Sequence, residues 1–112
     1  MADCLFCRIA AGDIRADVVY EDDRILAFRD IKPQAPSHVL IIPKSHIATL
    51  NELSDPDLAA ALIQSVQKIA ALEGLSDDGY RTVVNCNANA GQEVYHLHFH
   101  LLGGRRMTWP PG

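Results

Sequence analysis

At 112 residues, 48% of them hydrophobic, the chain is expected to hold one domain with one core, spanning residues 1–112. A net charge of −4 argues against generic binding to nucleic acid backbones or anionic membranes and leaves room for a small phosphate-bearing ligand. No apolar run approaches the roughly 20 residues that span a bilayer. The start Met1-Ala2-Asp3-Cys4 lacks the regions of a secretory signal, and three cysteines are too few for a disulfide scaffold, so a cytoplasmic setting is expected.

In chain order, Asp3 to Ala11 reads as a short helix, with Asp3 as N-cap, Leu5 and Ile9 on one face, and Gly12 to end it. Val18-Val19-Tyr20 and Ile25-Leu26-Ala27-Phe28 read as strands of a hairpin turned by Glu21-Asp22-Asp23-Arg24. The segment from Asp30 to Ser37, with two prolines, is a loop. His38 to Ile42 is an apolar strand stopped by Pro43. A long helix follows, capped by Ser54 or Asp55 with Pro56 in its first turn. Leu58, Leu62, Val66 and Ile69, with Ile63 and Ala70, form its apolar stripe, and Gly74 ends it. Tyr80 to Cys86 alternates as a strand, Asn87 to Gln92 is a loop, and Val94 to Leu102 is a last strand. The tail Thr108-Trp109-Pro110-Pro111-Gly112 is irregular. Short turns and one long helix favour an α+β fold. The expectation is an antiparallel sheet of about five strands with one long helix and a short N-terminal helix.

The last strand carries three of the five histidines, alternating with apolar residues: His96-Leu97-His98-Phe99-His100-Leu101. Extended, it puts the imidazoles in one row and the apolar side chains in another. Solvent-facing histidines on an edge strand are the bland account. A single three-histidine metal site fits poorly on a regular strand, because His96 and His100 would lie roughly 13 Å apart. Nucleophilic catalysis at phosphorus is the third account. His98 has a neighbour on each side, and its second ring nitrogen needs an acceptor to fix the tautomer. Gly91-Gln92, just before the row, can offer backbone N–H groups to an anion, with Asn85 in reach on the neighbouring strand.

The string His-apolar-His-apolar-His-apolar-apolar resembles the signature of the histidine triad (HIT) superfamily, and the chain resembles its Hint branch. The resemblance runs through Leu26-Ala27-Phe28-Arg29-Asp30-Ile31, Pro33-Gln34-Ala35-Pro36-Ser37-His38, Gly91-Gln92-Glu93-Val94-Tyr95-His96 and the terminal Trp109-Pro110-Pro111-Gly112. It implies a HIT-like fold and a homodimeric purine nucleoside phosphoramidase, which hydrolyses the P–N bond of adenosine or guanosine 5′-phosphoramidates without a catalytic cofactor. Purine nucleoside monophosphates would be its other ligands. By that match His98 forms a covalent nucleotidyl-histidine, and His100 and Asn85 hold phosphate oxygens together with Gly91, Gln92 and the backbone around Glu93. His38 and His96 complete a buried relay, and Asp30 binds the ribose hydroxyls. Leu5, Phe6, Ile9, Phe28, Ile31 and Leu40 wall the base pocket, for which plain core is the competing account. Trp109 reaches over the partner's active site. One departure is Glu93, where animal Hint proteins carry serine. A carboxylate there repels a phosphate unless it turns away or is protonated.

Cys4-Leu5-Phe6-Cys7 is a CxxC pair, open to redox or metal readings. Zinc takes four Cys or His ligands, and several HIT members resemble this chain in adding the positions of His46 and His96. The expectation is a structural zinc on Cys4, Cys7, His46 and His96. Cys86 reads as a buried strand residue. Two other functions remain open: a dinucleoside polyphosphate hydrolase, and a nucleotide-binding regulatory dimer with incidental catalysis. A galactose-1-phosphate uridylyltransferase-like activity is disfavoured, since that branch carries His-Pro-His where this chain has His96-Leu97-His98.

Overall fold

A computed structural model describes residues 3–112. The reading of Met1 and Ala2 as part of a start without a signal lies outside them. Helix α1 (Leu5–Ala10) begins one residue later than expected. Its N-cap is Cys4, not Asp3, because the Cys4 sulfur accepts from the Cys7 N–H at 3.3 Å. The chain leaves the helix through Gly12, whose φ of +84° suits glycine.

Strands β1 (Val18–Glu21) and β2 (Ile25–Arg29) form the expected hairpin. The Asp22 carboxylate shapes the turn by accepting from the N–H groups of Arg24 and Ile25. β3 (Ser37–Pro43) is buried along its whole length. Helix α2 (Pro56–Leu72) starts at Asp55, which accepts from the Asp57 N–H, and has proline in its first turn. β4 (Tyr80–Val83) is three residues shorter than expected, so Asn85 and Cys86 lie beyond it. Cys86 is half-buried rather than buried.

The five strands form one antiparallel sheet in the order β1-β2-β3-β5-β4, an α+β architecture as expected. β5 (Phe99–Gly103) is the main departure. It begins five residues later than Val94, so only His100 of the three histidines lies within the ladder. Residues 94–98 bind elsewhere: Leu97 donates its N–H to the Ile47 carbonyl at 2.6 Å. The period-two alternation survives all the same, and Leu97, Phe99 and Leu101 all enter the core beneath α2.

That core joins one face of the sheet to α2 through Leu58, Leu62, Val66, Ile69 and Ala70. Ile63 is half exposed and lies outside it, correcting its place in the stripe. On the opposite face a smaller cluster of Phe6, Leu26, Phe28, Leu40 and Ile42 packs α1 against the sheet. Among the described residues no helix is long and apolar enough to cross a membrane.

Candidate active site

The second cluster does not close over the sheet. It leaves a cavity of about 700 Å³ bounded by α1, the end of the β1–β2 hairpin and the segment before β5. All six residues expected to wall a base pocket line it: Leu5, Phe6, Ile9, Phe28, Ile31 and Leu40. Phe6, Phe28 and Leu40 are buried, whereas Ile31 is 93% exposed and stands at the rim. Phe6 meets Phe28 edge-on at 5.5 Å, so the two rings support each other in one apolar wall.

Asn85, Gly91, Glu93, His98 and His100 line the other end, with Asp30 beside them. The His98 ring is fixed by its Nδ1, 2.8 Å from the His96 carbonyl. A carbonyl only accepts, so Nδ1 holds the proton and Nε2 keeps its lone pair. Nε2 makes no hydrogen bond among the described residues. His100 packs 5.1 Å from His98, and its Nδ1 lies 2.9 Å from Nε2 of His38. Burial pushes the His100 pKa down to about 4, helped by the nearby His98 and His38 and opposed by Asp30. Burial also lowers His38, against the pull of Asp30, whose Oδ2 is 3.5 Å from its Nε2. Both rings are neutral at pH 7.

His38 partners His100 and stands behind it, outside the cavity lining, while His96 joins the histidines through its main-chain oxygen on His98 rather than through its ring. Gln92 also departs from its expected place. Its buried amide braces the loop, accepting from the Asn87 N–H and donating to the carbonyls of Ala48 and Val94. The N–H groups of Gly91 and Gln92 are spent on Ala88 and Asn87. The Glu93 N–H has no such partner among the described residues, and Glu93 lines the cavity. Gly91, with φ of +80°, makes that turn possible.

Trp109 is 80% exposed and does not reach the cavity of its own chain. Its ring lies 5.9 Å from the Arg81 guanidinium. The cavity also has walls that the sequence reading missed, namely Arg15, Ala16, Asp17, Arg29, Lys32 and Val94. The hairpin pairing of Val18 with Phe28 is the signal that could have placed residues 15–17 beside Arg29.

His96 is fully buried on the far side of Phe6, in a second cluster with Cys4, Cys7 and His46. One ligand atom from each lies within 4.8 Å of the others. The residues fit a tetrahedral zinc. Zn–S of about 2.3 Å and Zn–N of about 2.0 Å space sulfur from nitrogen by about 3.5 Å. The sulfur–nitrogen distances here are 3.2 Å for Cys7–His46, 3.3 Å for Cys4–His96 and 3.4 Å for Cys7–His96. Nε2 of His96 donates to the Pro43 carbonyl at 2.8 Å, which leaves Nδ1 free to ligate. Burial lowers the His96 pKa, so the ring is neutral.

The HIT domain family matches residues 11–107. The chain is 50% identical to the purine nucleoside phosphoramidase of Escherichia coli K12, over 94% of this chain and 90% of that one. Its fold superposes on the crystal structure of a HIT family hydrolase from Legionella pneumophila with a TM-score of 0.96 at 62% identity, covering 98% and 100% of the two chains. A Zn-bound histidine triad family protein from Mycobacterium smegmatis is similar at 37% identity and a TM-score of 0.82, covering 93% and 76%.

Proposed function

The chain belongs to the HIT domain family, and from that premise we propose that it is a purine nucleoside phosphoramidase of the Hint branch, acting through a covalent nucleotidyl-His98. The observation that carries the reading is the bond from His98 Nδ1 to the His96 carbonyl. It keeps a lone pair on Nε2 of a ring that lines the cavity. The relative named as a purine nucleoside phosphoramidase supports the substrate class.

The base lies against the apolar wall of Phe6, Phe28 and Leu40, and Asp30 accepts from the ribose hydroxyls. The α-phosphate faces His98, with His100, Asn85 and the Glu93 N–H on its oxygens. His98 Nε2 attacks phosphorus and forms a P–N bond to the imidazole. The substrate's own P–N bond breaks, and the amine departs with a proton taken from solvent. Water then attacks phosphorus, breaks the bond to His98, releases the nucleoside monophosphate and returns a proton to solvent. The reaction so read uses no cofactor. Cys4, Cys7, His46 and His96 would hold a zinc whose contribution is structural, tying α1 to the segment before β5.

The working unit would be a cytoplasmic homodimer. β4 is an edge strand with an exposed face, and the exposed Trp109 stands beside it over Arg81. His98→Ala is expected to lower turnover of adenosine 5′-phosphoramidate by more than a thousandfold while nucleotide binding survives, about 4 kcal/mol of barrier. Activity within tenfold of the unsubstituted protein would sink the covalent mechanism. Faster turnover of a dinucleoside polyphosphate than of the phosphoramidate would favour the other hydrolase. No turnover of either would leave a regulatory nucleotide-binding dimer.

A further inference from the structure

We propose that Arg105 is a positioning residue: through the backbone of Gln34 it sets which nitrogen of His38, and hence of His100, carries the proton. The consequence for phosphate binding rests on the function proposed above, but the tautomer assignment does not.

The argument starts from a donor that has no choice. The Gln34 N–H lies 3.0 Å from Nδ1 of His38. A backbone amide only donates, so His38 Nδ1 is an acceptor without a proton. A neutral His38 then carries its proton on Nε2. That nitrogen is 2.9 Å from Nδ1 of His100, which must accept. The remaining proton of His100 therefore sits on Nε2, the only nitrogen left to serve the cavity that His100 lines. Asp30 reinforces the order, since its Oδ2 stands 3.5 Å from His38 Nε2 and favours a proton there.

Without the Gln34 N–H, His38 is free to place its proton on Nδ1 and accept at Nε2. His100 would then donate from Nδ1 and present a bare Nε2 lone pair to an incoming anion. The Gln34 N–H, with Asp30 in support, thus governs whether a phosphate oxygen meets a donor or a lone pair.

Gln34 lies on an exposed loop between two prolines, so its backbone needs an anchor. Arg105 is that anchor. Its Nε and Nη2 both donate to the Gln34 carbonyl, at 3.1 and 3.0 Å, and its Nη1 donates to the Arg106 carbonyl at 3.2 Å. The chain can return to the loop because Gly104 turns with φ of +90° directly against Pro36. A Cβ at Gly104 would stand 2.9 Å from the Pro36 Cβ. The planar guanidinium grips one oxygen with two donors, a geometry that a lysine ammonium does not reproduce. Arg105 does not line the cavity. Its effect passes wholly through Gln34, His38 and His100.

The test is two-bond proton–nitrogen correlation of the imidazoles in zinc-supplied protein labelled with 15N-histidine. Both His38 and His100 should read as Nε2–H in the unsubstituted protein. In Arg105→Ala, and in Arg105→Lys as a charge-preserving second variant, both rings should shift toward Nδ1–H. Affinity for adenosine 5′-monophosphate should fall about tenfold, the cost of one hydrogen bond to an anion, while affinity for adenosine holds. A His100 that is Nδ1–H in the unsubstituted protein would overturn the assignment. Unchanged tautomers in folded Arg105→Ala would overturn the role of Arg105, whatever the affinity does. A tautomer shift in a protein that turns over no phosphoramidate would uphold this inference and sink the function proposed above.

Discussion

The ring of Phe6 stands perpendicular to that of His98, with centroids 5.1 Å apart. Phe6 sits between Cys4 and Cys7 on the first turn of α1, so the side chain that seats the candidate nucleophile rides on the candidate metal-binding turn. A cation there would reach the active site through packing rather than chemistry.

Zinc supplied during production should accordingly be retained at about one ion per chain by elemental analysis, the occupancy of a closed Cys₂His₂ site. Cys4→Ser with Cys7→Ser should lose it. At free zinc a thousandfold above its dissociation constant the binding is worth about 4 kcal/mol of stability, so the double variant should melt markedly lower. Nucleotide KM should rise as Phe6 loosens. A metal-free protein as stable as its zinc-supplied counterpart would return the cysteines to an ordinary N-terminal turn.

Acid should weaken the fold through His100 and Glu73. His100 titrates near 4 when folded, below its ordinary 6.5, so between those values the unfolded chain binds the extra proton. Its stabilisation is complete above pH 6.5 and fades as pH falls toward 4. Glu73 is held below its ordinary value of 4.5 chiefly by its bond to Arg29, with Ser37 assisting, and acts in the same direction at lower pH. The melting temperature should therefore fall steadily from pH 7 to 4.5. His100→Gln should flatten that fall, and a rise on acidification would contradict both assignments.

Two adjacent residues of α2 should differ sharply. Leu62 is fully buried, and Leu62→Ala should cost about 2–5 kcal/mol. Ile63 is 50% exposed, and Ile63→Ala should stay within about 0.5 kcal/mol. Denaturant titration at two protein concentrations measures both. A large, concentration-dependent cost at Ile63 would put a second copy of the chain on that face.

How far these features could be read from the sequence depends on their range. The alternation of Leu97, Phe99 and Leu101 was legible because it is local and has period two. The start of β5 was not, because Leu97 gives its N–H to Ile47, a partner that only the fold supplies. Ile63 follows Leu62 by one residue, about 100° around the helix, and a list of apolar positions does not reveal which flank the sheet covers. The histidine row and CxxC pair announced their chemistry by residue type. The separation of His96 from the His38–His100 pair, and the grip of Arg105 on Gln34, join positions far apart in the chain and leave no periodic trace.

The tail gives the last prediction. Trp109 does not line the active-site cavity of its own chain and rests over Arg81, beside the open edge of β4. Deleting residues 108–112 should change kcat/KM unequally across phosphoramidates with different amines, with little change in melting temperature. An equal change across all of them would make the tail a bystander.

The acceptor that orients His98 is the main-chain oxygen of His96, whereas the ligand that residue offers to a metal is its ring. Every amino acid carries the first, and few carry the second. Substitution at position 96 can therefore discard the ion while the orienting bond persists. The candidate metal site and the candidate active site are separable in descent, although one residue contributes to both. A descendant that had lost its cysteines could still keep the His98 ring oriented.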